Sequence, residues 1–400
     1  MSGAPPPAPA AQQAARYRGV VGRRGIVLVG VAAAVVVAAI VVTTTVGIGH
    51  SASASSSSTT TTSSGPPVTT VSLESAHSYT PHAPSGGTDD YHCTLVDPHL
   101  TADSTIVSSQ FFPNSPEVHH AILFLVPPDL AAQAKADDDV GEGWTCFGES
   151  PLPGSSLSQI SDTPWLTAWA PGHGRDVAPK GTGVSFPKGS LVIMQIHYNL
   201  LVGDKPVRSK LVLSTVPAST PLKPLHLDLL PAPPDIPCPA GVTGPLCNRL
   251  ASLEDVAQRF GKSQVQFVNI LEQACGRNVL EPPAGDSTSC VWPASPGTVV
   301  RLTAHMHLLG RSMQIVLDPG TSKARTLLDV TNYNFDYQRS YNLATPVTVA
   351  AGDTIGVTCT YNPQLRQQLP QLRKLPPRYV TWGDGSSDEM CLALINYVSS

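Results

Sequence analysis

Five histidines and one methionine stand where side chains could hold metal ions: His119 and His120 in PEVHHAILFLV, His197 in LVIMQIHYNL, His305 and His307 in LTAHMHLLGR, and Met390 in SSDEMCLAL. All the histidines lie in or beside apolar, strand-like runs. Residues two apart on a strand share a face, so His305 and His307 can present two imidazoles to one ion without distorting the backbone. His119 and His120 are adjacent and would point to opposite faces, so joint ligation requires a bulge or a strand end there. Taken singly, a histidine is more often a hydrogen-bonded packing residue than a ligand, and HxH alone is a weak signal. Met390 changes the weight. A thioether is a soft ligand suited to Cu(I) and poor for zinc, so two imidazoles with one thioether specify copper, although a methionine alone reads as core filling. A zinc hydrolase built on the same histidines would need an acid or base beside an open position and would not need Met390.

The runs that must position these residues read as strands. β-Branched or alternating stretches with Pro and Gly punctuation recur at Ser104 to Phe112, His120 to Val126, Ser190 to Asn199, Lys210 to Val216, Thr298 to Leu308, Gln314 to Leu317, Val347 to Val349 and Thr354 to Tyr361. Strands at such spacing suggest β-sandwiches. Between Cys238 and Cys290 the period changes. Leu250, Leu253, Val256 and Phe260 fall at helical spacing before Gly261, and a second helix is predicted from Ser263, with Gln266 completing a capping box, to Gly276. Composition agrees with extended structure, since 39 prolines are roughly twice the usual share of about 5% and the 14% charged content lies below the roughly 25% of soluble domains. At 400 residues and 41% hydrophobic content the chain exceeds one ordinary core, which implies two packed domains plus appendages.

Residues 25–48 (GIVLVGVAAAVVVAAIVVTTTVGI) are uncharged and long enough to cross a bilayer as a helix. Arg16, Arg18, Arg23 and Arg24 precede this span and Glu74 is the first charge after it, so the N-terminus is expected in the cytoplasm and the bulk of the chain outside. A cleaved secretory signal ending near Ala52-Ser53-Ala54 would export the same domains. Residues 51–70 hold 14 Ser or Thr and read as a flexible stalk. Export makes the eight cysteines disulfide partners before metal thiolates, and no CxxC pair is present. The net charge of −4 includes four arginines and no acids in the first 50 residues, so the remaining chain carries −8 and has no electrostatic footprint for nucleic acid.

The ordered set HH, QIHYN, HMHLLGR, CTYN and SSDEMC, spanning roughly Asp90 to Val398, resembles the copper type II, ascorbate-dependent monooxygenases, the group of dopamine β-hydroxylase and peptidylglycine α-hydroxylating monooxygenase. The resemblance implies an all-β fold of two jelly-roll-like β-sandwich domains with a small helical insertion, preceded by one transmembrane helix. The expected organisation is a cytoplasmic tail (1–24), the span (25–48), a Ser/Thr-rich linker (49–72), an N-terminal sandwich (73–218), and a C-terminal sandwich (219–400) with the helical insertion at 238–290. It implies two mononuclear copper ions facing each other across a solvent-filled cleft. His119, His120 and His197 would hold the copper that takes up electrons from ascorbate or a similar reductant. His305, His307 and Met390 would hold the copper where dioxygen and a small-molecule substrate react. Disulfides Cys93–Cys146 and Cys359–Cys391 follow from the same comparison, whereas the pairing of Cys238, Cys247, Cys275 and Cys290 stays open.

The sequence departs from the best-known members in informative places. AILFLVPP after the paired histidines lacks the cysteine usual there, and Cys290 is expected to pair within the 238–290 insertion. Peptide-amidating members carry an arginine, an asparagine and a tyrosine where this chain has Thr303, Leu392 and Leu394, so a peptide carboxylate would find no clamp. Asp384, Asp388 and Glu389 could attract an amine or merely form a polar turn; Tyr198 and Tyr341 could line the cleft or pack; His173 stays unassigned. A non-enzymatic extracytoplasmic copper-binding or delivery protein would use the same ligands but would not need two sites of unlike composition.

Overall fold

Strand Leu191–Asn199 is buried over all but its last residue, which requires cover on both faces. In this computed structural model, which describes residues 65–83, 86–138, 141–146, 165–171, 174–200 and 203–399, that strand is the centre of a five-stranded sheet. Its neighbours are Asp89–Val96 and Val118–Val126, with Trp144–Thr145 and Trp165–Trp169 at the edges. Val192, Met194 and Ile196 face a six-stranded sheet built on Thr69–Glu74, Lys210–Pro217, Ser104–Phe112 and Thr182–Phe186. Leu191 and Ile193 face the other way, as the two-residue period demands.

The remaining sheets come from the C-terminal half. Strands His226–Pro231, Cys391–Ser399, Gly297–Met306 and Ser340–Val349 form one sheet, and Ser287–Pro293, Thr354–Tyr361, Gly310–Leu317 and Arg325–Val330 form the other. Leu302, Ala304, Met306, Ala393 and Ile395 fill the space between these two. The opposite face of the Cys391–Ser399 strand, bearing Leu392 and Leu394, joins Ile122, Phe124 and Ile193 of the five-stranded sheet in one apolar cluster. Leu253 of helix Arg249–Phe260 and Phe267, Val268 and Leu271 of helix Lys262–Ala274 complete that layer. The layer therefore joins the two halves of the chain, and Met390 is one of its buried members.

Several expectations need adjusting. The second helix starts at Lys262 with Gly261 as its N-cap and no side-chain cap, because Gly261 at φ 94° serves both as C-cap of the first helix and N-cap of the second. Leu250 is 70% exposed, and the buried stripe is Leu253, Val256 and Phe260. Strand Thr69–Glu74 begins inside the segment read as linker, since Val71 and Leu73 turn into the core against Lys210–Pro217. All eight cysteines are paired, as Cys93–Cys146, Cys238–Cys247, Cys275–Cys290 and Cys359–Cys391. Among the described residues no helix is long and apolar enough to cross a membrane, and the expected span 25–48 lies outside them.

Candidate metal centres

The bulge that adjacent histidines require is present. Val118 stands opposite Tyr198 and His120 opposite His197, which leaves His119 as the extra residue of its strand. A bulge re-aims one side chain, and here it brings both imidazoles to the His197 side of the sheet. His197 Nδ1 lies 2.8 Å from His120 Nε2 and 3.3 Å from His119 Nδ1, and one donor atom from each ring falls within 4.8 Å of the others. Asp89, in the adjacent strand, lies 2.9 Å from His197 Nε2 through Oδ1. A carboxylate only accepts, so Nε2 carries the proton and the Nδ1 lone pair points at the other two rings. Tyr91 stacks on His197 at 4.1 Å between centroids and 10° between planes.

Burial, reinforced by neighbouring His197, pushes the His119 imidazole down to about 3 and that of His120 well below its usual value. Three ring nitrogens gathered this closely form a donor set that fits a metal ion of imidazole preference.

His305 and His307 sit at the end of Gly297–Met306, their ring centroids 5.1 Å apart. Gln338 Nε2 donates to the Phe335 carbonyl at 3.1 Å, which turns its Oε1 toward His305 Nδ1 at 2.7 Å. The proton of His305 is thereby placed on Nδ1. Its Nε2 is buried with no hydrogen-bond partner, which leaves a lone pair aimed into the site. His307 Nδ1 lies 3.2 Å from the Asp388 carbonyl and so also carries its proton there. Burial drives His305 well below the usual imidazole value and holds His307 at about 4, the Asp388 charge opposing in the latter case.

Register brings in Met390. His305 pairs with Leu392 and Met306 with Cys391, so His307 and Met390 are the first residues beyond the end of the ladder, and Met390 packs in the cluster of Leu392 and Leu394. Met390 is completely buried. Glu389 holds both backbones: its Oε2 accepts from the N–H of His307 at 2.9 Å and of Met390 at 3.1 Å, and its Oε1 from Leu309 at 2.6 Å. The Cys359–Cys391 disulfide fastens the residue after Met390 to the neighbouring sheet.

This is also the segment that relates to known proteins. Residues 285–400 match the family model described as copper type II ascorbate-dependent monooxygenase, C-terminal domain. Residues 285–400 therefore carry a domain of that family. Solved structures carry no further argument. A peptide-N(4)-(N-acetyl-β-D-glucosaminyl)asparagine amidase aligns over 83% of this chain and 96% of its own at 6% identity and a TM-score of 0.32. Allantoicase from Saccharomyces cerevisiae aligns over 77% of each chain at 9% identity and a TM-score of 0.19.

The two histidine groups are not separated by a broad cleft. The Phe335 ring stacks on His119 at 5.1 Å and meets His307 edge-on at 6.0 Å, so a single phenyl group stands between them. Polar contacts beside them join the halves, among them Tyr91 OH donating to the Asp384 carbonyl at 2.7 Å and Ser386 Oγ donating to Asp89 Oδ1 at 3.2 Å. A cavity of about 160 Å³ opens beside His119, lined by Thr88, Asn199, Leu308, Phe335, Leu372 and Ser387 among others.

The acids before Met390 are structural. Asp388 receives Arg259 at 2.7 and 2.8 Å and Arg378 at 3.0 Å, Asp384 receives Gln264 at 2.8 Å, and Glu389 is spent on backbone N–H groups. Tyr198 packs in the N-terminal core, 1% exposed, and Tyr341 lies on the open side of its sheet, 36% exposed; neither lines the cavity. His173 falls outside the described residues. Thr303 bonds Ser340 Oγ at 2.8 Å, and Leu392 and Leu394 are buried in the joining layer. Asp89, Gln338 and Phe335 escaped sequence reasoning. Asp89 lies two residues before Tyr91 in the Cys93 strand, a usable signal, whereas nothing marks Gln338 or Phe335.

Proposed function

We propose that this protein is a copper-dependent monooxygenase that hydroxylates a C–H bond of a small organic substrate, using dioxygen and an ascorbate-like reductant. The reading folds the chain as two jelly-roll-like β-sandwich domains, 73–218 and 219–400, each holding one copper. What supports it is the three-imidazole group of His119, His120 and His197 and, on a facing sheet, the neighbouring rings of His305 and His307 beside the strand that Met390 precedes; the reading takes these last three as a second, unlike donor set. A delivery protein has no use for that difference.

Copper bound at the two positions supplies one electron from each, and the soft thioether favours Cu(I) at the second. The reaction balances as one oxygen atom entering the C–H bond, the other leaving as water, and two electrons with two protons from the reductant. The chain's own contribution is placement. Asp89, Gln338 and the Asp388 carbonyl fix three ring tautomers, Glu389 fixes two backbones, and the joining layer excludes water.

Three sites that clamp a peptide in amidating relatives are here Thr303, Leu392 and Leu394, committed to packing, which supports a small molecule rather than a peptide as substrate. Four disulfides support export. The reading places the N-terminus in the cytoplasm, with residues 25–48 as a single membrane anchor.

Metal analysis combined with reductant-dependent oxygen uptake tests the function. Two coppers per chain and uptake stimulated by a substrate among small amines and phenethyl compounds are expected. Met390→Leu conserves volume in a fully buried position, a change that costs under about 1.5 kcal/mol. It should keep copper at the three histidines and lose hydroxylation. Full turnover by Met390→Leu would refute the assignment.

A further inference from the structure

We infer that Ser386, from the segment leading to Met390, tunes the three-histidine copper through Asp89, so that the potential of one site depends on the position of the loop that builds the other. The inference rests on the proposed function and concerns Ser386, to which that function assigns no part.

Asp89 is 7% exposed, and its Oδ1 accepts three hydrogen bonds: His197 Nε2–H at 2.9 Å, Ser386 Oγ–H at 3.2 Å and Ser386 N–H at 3.4 Å. Its Oδ2 accepts from Thr88 Oγ1 at 3.0 Å. One oxygen divided among three donors gives each less than it would give one. Removing the serine hydroxyl returns charge to the His197 bond. A more strongly held N–H makes the opposite nitrogen a better donor, which favours Cu(II) over Cu(I).

Ser386 is an effective reporter because its segment is taut. Two residues on, Asp388 is gripped by Arg259 and Arg378 while its carbonyl takes His307 Nδ1. Glu389 then binds the backbones of His307 and Met390. Displacement of the Met390 strand start is therefore transmitted to Ser386, and from there to Asp89 and His197 across the interface between the halves. Asp89 and Ser386 are positioning residues, since neither offers an atom to the metal.

The test is a redox titration of the full chain loaded with two coppers, followed by the Cu(II) electron paramagnetic resonance signal. In Ser386→Ala one of the two one-electron waves should move to lower potential. The Cu(I):Cu(II) ratio at that site should fall about three- to tenfold at a fixed ambient potential, with the other wave unmoved. Ser386→Thr keeps the hydroxyl and should restore the wild-type wave, which a packing role would not require. Should the alanine variant fail to fold, Ser386→Gly removes the same hydroxyl and is read in its place. Two unmoved waves, two waves shifted alike, or failure of threonine to restore would overturn the inference alone. Wild-type protein that takes up no copper at the three histidines would overturn the proposed function, and this inference with it.

Discussion

Replacement of Gln338 by leucine isolates the second metal position without touching a candidate ligand. The side chain is 5% exposed and makes two hydrogen bonds, accepting from His305 Nδ1–H at 2.7 Å and donating to the Phe335 carbonyl at 3.1 Å. Leucine fills the volume and satisfies neither partner. Each buried group left unpaired costs about 1–3 kcal/mol, so the apoprotein should lose roughly 2–6 kcal/mol in denaturant unfolding. The second consequence is specific to the metal. With nothing to hold the proton on Nδ1, His305 divides between tautomers, and loss of such an outer partner weakens metal binding by about 10–100-fold, or roughly 1.4–2.8 kcal/mol. Competition titration with a Cu(I) chelator should show one of two coppers weakened and the other unchanged. Gln338→Glu keeps the acceptor oxygen toward His305 but sets a second oxygen against the Phe335 carbonyl, so it should lose stability and retain affinity. If Gln338→Leu bound both coppers as tightly as the wild type, or weakened both equally, the tautomer argument would fail.

Two further outcomes follow from charge and cross-linking. Stability of the apoprotein should pass through a maximum near pH 6.5. Below that value the unfolded chain takes up protons that folded His119, His120, His305 and His307 refuse; above it, deprotonation of Glu389 (about 8) and Glu272 (about 9) in the fold costs more than in the unfolded chain. Thermal melts from pH 5 to 9 check both limbs; Glu272→Gln should flatten the alkaline one, and a midpoint rising steadily to pH 9 would contradict the signs. Replacing both Cys359 and Cys391 by alanine opens a 32-residue loop and should cost about 4 kcal/mol by loop entropy, read as a shifted denaturation midpoint, with weaker copper binding at the His305 position but not at His197.

What the sequence disclosed followed from residue spacing. The His305–His307 face needed only the two-residue strand period, and the structure keeps it. The adjacent pair His119–His120 posed a geometric conflict that only a bulge could resolve, and the conflict itself located the bulge. Helix Lys262–Ala274 was visible from Val268 and Leu271, but its start was misplaced because a serine three residues before a glutamine imitates a capping box when a glycine already ends the preceding helix. Partners joined over long range had no such signal. Gln338 meets His305 across 33 residues and Ser386 meets Asp89 across 297, through turns whose composition resembles any polar loop. The acids of SSDEM misled for a related reason: a run of carboxylates reads as a charged surface until Arg259 and Arg378, distant in sequence, are brought to it.

Those pairings explain why the two histidine groups lie one aromatic ring apart. On the sheet faces that carry them, Ile122, Phe124 and Ile193 pack with Leu392 and Leu394 and hold the two sheets together beside the histidines. The Tyr91–Asp384 and Asp89–Ser386 contacts satisfy the polar atoms that closure buries. The 160 Å³ cavity beside His119 is lined by Asp89 and Ser386, so one of these contacts also forms part of its wall. The surroundings of the histidines and the cohesion of the fold therefore share residues. Phe335, in contact with a ring from each group and tied through its carbonyl to the glutamine that orients His305, is where the two demands meet.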